Sequence, residues 1–66
     1  MTITLNGQSH DPAGAIRLDT LIARVCPDPR QVIAEVNGVI VKQPAWAATT
    51  INNGDRIELV RLVGGG

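Results

Sequence analysis

Aromatic residues are nearly missing from this chain: Trp46 stands alone, with no Phe and no Tyr among 66 residues. Successive nucleic-acid bases therefore find no set of aromatic faces on which to stack. Charge of one sign is missing too, because six Lys and Arg balance six Asp and Glu and the formal net charge is zero. These two absences argue against nucleic acid and against an anionic membrane surface as partners. No apolar run approaches the roughly 20 residues needed to cross a bilayer, so no membrane span is expected. The opening residues Met1-Thr2-Ile3-Thr4 carry neither a basic nor an apolar leader region, and no secretion signal is expected. Cys26 is the one cysteine, which excludes an internal disulfide and fits a reducing, cytoplasmic setting. One Cys and one His cannot furnish the three or four protein ligands of a zinc site. Nor do Cys26 and His10, on different expected elements with no third group to orient them, make a nucleophile and its base.

What is present is aliphatic. Hydrophobic residues make up 44% of the chain, so the core must be built from Ile, Leu, Val and Ala. A single domain spanning residues 1–66 is expected, near the lower size limit at which a core holds a fold without staples. There is room for little besides the scaffold.

Met1 to Leu5 alternates polar and apolar residues and runs into Asn6-Gly7, the dipeptide that favours a type I′ hairpin turn. Gln8 to Asp11 is the returning strand, polar enough for a sheet edge, and Pro12-Ala13-Gly14 breaks it. Leu18, Leu21, Ile22 and Val25 stand at i, i+3, i+4 and i+7, which places four apolar side chains on one helical face. Asp19 and Thr20 lie in or just before the first turn of that helix, and Cys26-Pro27 ends it. Val32 to Val36, Asn37-Gly38 and Val39 to Val41 repeat the hairpin signal with richer β-branched content. Gln43 to Thr49, bent around Trp46, reads as 3₁₀ turn or coil, with Trp46 as a partly buried lid on the sheet edge. Asn52 to Asp55 is a turn, and Arg56 to Val63 is the final, longest strand. The order is ββαβββ. Two hairpins flanking one helix, with a last strand long enough to lie centrally, predict an α+β fold of the β-grasp type: a mixed sheet of about five strands curled around one helix.

Behind the last strand stand Gly64-Gly65-Gly66. Three residues without Cβ atoms adopt almost any φ/ψ and pass through gaps closed to other residues. Extended, they reach about 10 Å beyond the body of the domain, and a flexible tail over 64–66 is expected. Such an end offers one chemical asset, the α-carboxylate of Gly66. With a pKa of about 3.5 it is an ionised, resonance-stabilised anion at neutral pH and a poor electrophile, so it must be activated by another molecule.

Val36-Asn37-Gly38-Val39, the Trp46-Ala47 pair, and above all Asn53-Gly54-Asp55-Arg56-Ile57-Glu58 running to Leu62-Val63-Gly64-Gly65-Gly66 resemble the ubiquitin-like sulfur carriers of thiazole synthesis in the thiamine pathway, the ThiS family. The resemblance spans essentially the whole chain. It departs in Pro12 to Arg17, which carry no clear family motif, and at Leu62, where related sequences often place an aromatic. The resemblance implies a carrier without turnover of its own. Its Gly66 carboxylate would be adenylated by an E1-like, ThiF-like adenylyltransferase that supplies the ATP and Mg²⁺ site, and no cofactor is bound by the carrier itself. The same carbonyl would become a thiocarboxylate that hands sulfur to a ThiG-like thiazole synthase, with Gly64 and Gly65 threading the tail. The small subunit of molybdopterin synthase resembles the chain in the same features. A ubiquitin-like protein modifier and a plain interaction module remain as further alternatives, and a monomer is expected in isolation.

Alternation in the last strand adds a surface. Successive side chains point to opposite sheet faces, so Ile57 and Leu59 inward leaves Val60 and Leu62 outward with Arg56 and Glu58. The same parity sends Val32, Ala34 and Val36 in and Ile33 and Glu35 out, with Val41 in and Ile40 out. Ile33, Val60 and Leu62, together with Ile40, form the expected apolar docking patch for the activating enzyme.

Overall fold

A computed structural model describes residues 1–26 and 28–62. Seven strands, one α-helix and two 3₁₀ turns follow in chain order: β1 (Ile3–Leu5), β2 (Gln8–His10), β3 (Ile16–Arg17), α1 (Leu18–Val25), a 3₁₀ turn at Pro29–Gln31, β4 (Val32–Val36), β5 (Val39–Val41), a second 3₁₀ turn at Gln43–Ala48, β6 (Thr50–Ile51) and β7 (Arg56–Arg61). Five of the strands form one sheet in the order β2-β1-β7-β4-β5. The strand that comes last in the chain thus lies in the middle of the sheet, parallel to β1 and antiparallel to β4.

Both Asn-Gly pairs make the expected tight turns. Asn6 and Gly7 have φ of 50° and 80°, and Asn37 and Gly38 have 52° and 84°. Two successive positive φ values are what a type I′ turn demands, and Asn followed by Gly tolerates them best. A third non-glycine residue, Ala13, also has positive φ, 64°, a conformation with no help from its own side chain. Asp11 holds it there by accepting a hydrogen bond from the Ala13 backbone N–H at 2.8 Å.

Helix α1 packs its apolar side into a core shared with the sheet. Leu18, Leu21 and Ile22 are buried against Ile3, Ala34 and Ile57, with Ile16, Trp46 and Ile51 completing the core. Val25, the fourth residue of the apolar stripe, is exposed, because the helix ends with it and the chain leaves through Cys26. Burial in the large sheet follows the alternation: Ala34 and Ile57 are buried, while Val32, Val36, Val41 and Leu59 pack partly buried against them.

Two features depart from the ββαβββ order. The two-residue strands β3 and β6 pair antiparallel as a separate small sheet, Ile16 opposite Ile51 and Arg17 opposite Thr50. Its role is visible in the helix start: Arg17 offers no side-chain cap, and the Leu18 N–H instead donates to the Thr49 carbonyl at 2.8 Å. Trp46 also goes deeper than a lid. Only 4% of it is exposed, and its indole Nε1–H donates to the Val41 carbonyl at 2.7 Å, which supplies the partner that a buried indole needs.

Candidate functional site

The outer face of the large sheet is bare. Register places Ile33 directly across from Val60, and Glu35 between Ile40 on one side and Glu58 on the other. Leu62 continues the outward series of β7 beyond the last ladder pair. Ile40, Val60 and Leu62 are about half exposed or more, at 61%, 49% and 50%, and Ile33 is half-buried. The four residues expected to dock a partner therefore lie on one face, Ile33, Val60 and Leu62 toward the described end of β7 and Ile40 level with Glu58. Val39, which pairs with Val36 on the opposite, inward side, is nevertheless 65% exposed. It sits at the start of the edge strand, and alternation alone did not single it out.

At that end β7 stays paired with β4 as far as Arg61. The Leu62 N–H donates to the Gln31 carbonyl at 2.6 Å, which extends the β4–β7 pairing by one bond into the 3₁₀ turn. That turn is capped by Asp28, whose carboxylate accepts from the Arg30 backbone N–H at 3.2 Å and from the Arg30 guanidinium at 3.0 and 3.2 Å. The Arg30 side-chain hydrogen bonds, then its backbone N–H, hold the Asp28 carboxyl below its usual 3.8, and the charge of Arg61 lowers it further. Gly64, Gly65 and Gly66 lie outside the described residues, as does Val63.

The opposite end of the sheet is tied closely. Asn6 accepts from the Leu59 N–H through Oδ1 at 2.7 Å, and its own N–H donates to the Ile57 carbonyl at 2.9 Å. On the other flank, Asn37 accepts from the Arg56 N–H at 2.9 Å and donates from Nδ2 to Asp55 at 3.0 Å, while its backbone N–H reaches the Arg56 carbonyl at 2.8 Å. Asp55 also accepts from the Asn52 N–H at 2.8 Å, closing the Asn52-Asn53-Gly54-Asp55 turn. Each hairpin asparagine thus serves its own turn and clamps β7 as well. Sequence reading identified the turns but not these side-chain bonds, which need the two hairpins brought to either side of one strand.

His10 lies on edge strand β2 opposite Ile3, and Cys26 is half-buried at the end of α1, where its N–H donates to the Ile22 carbonyl at 2.8 Å. Among the described residues no three of His, Cys, Asp and Glu stand together in a way that could hold a metal ion. No described helix is long and apolar enough to cross a membrane.

Comparison with known proteins bears on the chain as a whole. The crystal structure of a thiamine biosynthesis protein (ThiS) from Geobacter metallireducens superposes with a TM-score of 0.85 at 30% identity, covering all of both chains. Thiazole synthases from Paramagnetospirillum magneticum and Magnetococcus marinus match over the whole of this chain at 30% and 32% identity. The chain spans only 20% of the length of either of those proteins. The ThiS family model matches residues 3–66, a span that takes in both clamped hairpins, the central strand and the glycines behind it: the chain belongs to the ThiS family.

Proposed function

We propose that this protein is a sulfur carrier for thiazole formation in thiamine biosynthesis, working as a cosubstrate whose chemistry is done by its partners. One observation carries the reading: a family match over residues 3–66 in a chain whose central strand leads straight into Val63-Gly64-Gly65-Gly66. The folded body holds β7 at the middle of the sheet, and the sequence behind it has no side chain after Val63 to obstruct insertion into a narrow channel.

The reaction sequence follows from the carboxylate. A ThiF-like adenylyltransferase, holding ATP and Mg²⁺, joins the Gly66 carboxylate to AMP and releases pyrophosphate. The acyl carbon now carries a good leaving group. A sulfide-level nucleophile attacks it, the bond to the AMP oxygen breaks, and AMP departs to leave a thiocarboxylate. A ThiG-like thiazole synthase then takes the sulfur. The thiazole synthases among the relatives, and the description of the Geobacter protein as one of thiamine biosynthesis, favour this pathway over molybdopterin synthesis. A cytoplasmic setting fits these partners.

In this reading Ile33, Ile40, Val60 and Leu62 seat the carrier on the adenylyltransferase, and Gly64 and Gly65 thread toward its nucleotide. The test is an intact-mass measurement after incubation with ATP, Mg²⁺, the adenylyltransferase and a sulfur source. Replacement of one oxygen by sulfur on Gly66 supports the carrier. An amide to a lysine of another protein points instead to a modifier, and an unchanged mass with a competent enzyme rejects carriage.

A further inference from the structure

Glu35 and Glu58 stand directly opposite one another on the outer face of adjacent strands, an arrangement in which like charges destabilise a sheet. Cross-strand neighbours of this kind are about 5.5 Å apart at Cα, near enough for one cationic side chain to lie between the two carboxylates. The ion pairs among the described residues are Arg17–Asp19 and Asp28–Arg30, and neither involves these glutamates. Arg56, two residues before Glu58 on the same face, forms no ion pair with it. The glutamates are bordered by Ile40 on one side and by the Ile33–Val60 pair along the strands.

We propose that this face docks an adenylyltransferase surface that brings a lysine or arginine between Glu35 and Glu58, within a rim of apolar contacts to Ile33, Ile40, Val60 and Leu62. The inference rests on the docking role given to that patch above and adds the chemistry of what it meets. Both carboxylates attract the incoming cation, which would also screen one from the other. Apolar side chains closing around the group exclude water and strengthen the attraction. A second copy of this chain fits poorly, because a two-fold pairing of the face would bring four glutamates together.

The experiment measures the Kd of the ThiF-like adenylyltransferase of the same organism for Glu35→Gln, Glu58→Gln, the double variant and Val60→Asp, at low and high salt. The double variant is expected to bind about tenfold more weakly at low salt, and the difference should shrink as salt screens the charges. Its thermal midpoint should stay level or rise, which separates lost recognition from lost folding. If the double variant binds within about twofold of the native chain while Val60→Asp binds badly, the cation is wrong and the docking face stands. If Val60→Asp also binds normally, the docking role itself fails. A dimer of the free protein in sedimentation that Val60→Asp dissociates would identify a second copy as the occupant and overturn the proposal.

Discussion

Asparagine side chains grip β7 from both flanks, at Arg56 and at Leu59; toward its described end the strand is held on one flank, by β4 and by the Leu62 bond to Gln31, and exposes Val60 and Leu62. The same strand therefore has a finished end and an unfinished one. At the finished end the polar groups of two turns and one strand satisfy each other, leaving little for another molecule to add. At the other end, apolar area on the outer face stays uncovered beside two opposed carboxylates. Polar groups that satisfy one another hold a scaffold in one arrangement, and uncovered apolar surface is what a partner can use. On the proposed function, the difference gives anchoring to one part of the strand and recognition to the other.

The comparison breaks most visibly if recognition is not confined to the apolar end. Val60→Asp is expected to abolish adenylation at ordinary enzyme concentrations while the circular dichroism spectrum and thermal midpoint stay close to native, since Val60 is half exposed and outside the core. Normal adenylation by this variant would remove the functional half of the contrast. At the anchored end the effect should be purely structural. Asn37→Ala puts a Cβ-bearing residue without a stabilising amide at φ 52° and deletes two side-chain hydrogen bonds. A loss of about 2 kcal/mol is expected, lowering the midpoint by roughly 10 °C in a domain of this size. Asn37→Gly keeps the turn conformation and loses only the bonds, so about half that shift should be seen. A partner affinity that fell with either variant beyond the unfolded fraction would contradict the assignment.

Smaller effects sharpen the picture. Trp46→Phe retains most of the buried ring and loses the bond to the Val41 carbonyl, for an expected cost of about 1 kcal/mol in urea unfolding. Asp28→Asn tests the turn beneath Leu62. Because the folded Asp28 carboxyl titrates below 3.8, its contribution is present above that value and lost as pH falls through the folded pKa. The native chain should therefore be slightly more stable than the variant at neutral pH, with the two converging under strong acid. The pair is exposed, and the difference should be the smallest of the series.

Much of the body was legible because its signals are local. Asn6-Gly7 and Asn37-Gly38 specify turns within two residues, and the stripe Leu18, Leu21, Ile22 specifies a helix within two turns. Strict alternation from Arg56 to Leu62 told the two sheet faces apart. The pairing of Ile16-Arg17 with Thr50-Ile51 was not legible, since two residues carry no period and their partner lies more than thirty residues away along the chain. Trp46 was placed too near the surface, because the acceptor that lets its indole go inside is a backbone carbonyl with no sequence signature. The outward position of Glu35 and of Glu58 could be read one strand at a time. Their confrontation could not, because it depends on the register between strands separated by twenty residues.

Central placement of β7 has a consequence for how the chain is born. The β1–β2 and β4–β5 hairpins leave the ribosome before the strand that joins them, and an isolated hairpin is at best marginally stable in water. A nascent chain stopped ahead of Arg56 thus has two ribbons without the strand that joins them in one sheet. Completion of the sheet and synthesis of the glycines that follow β7 fall close together in translation.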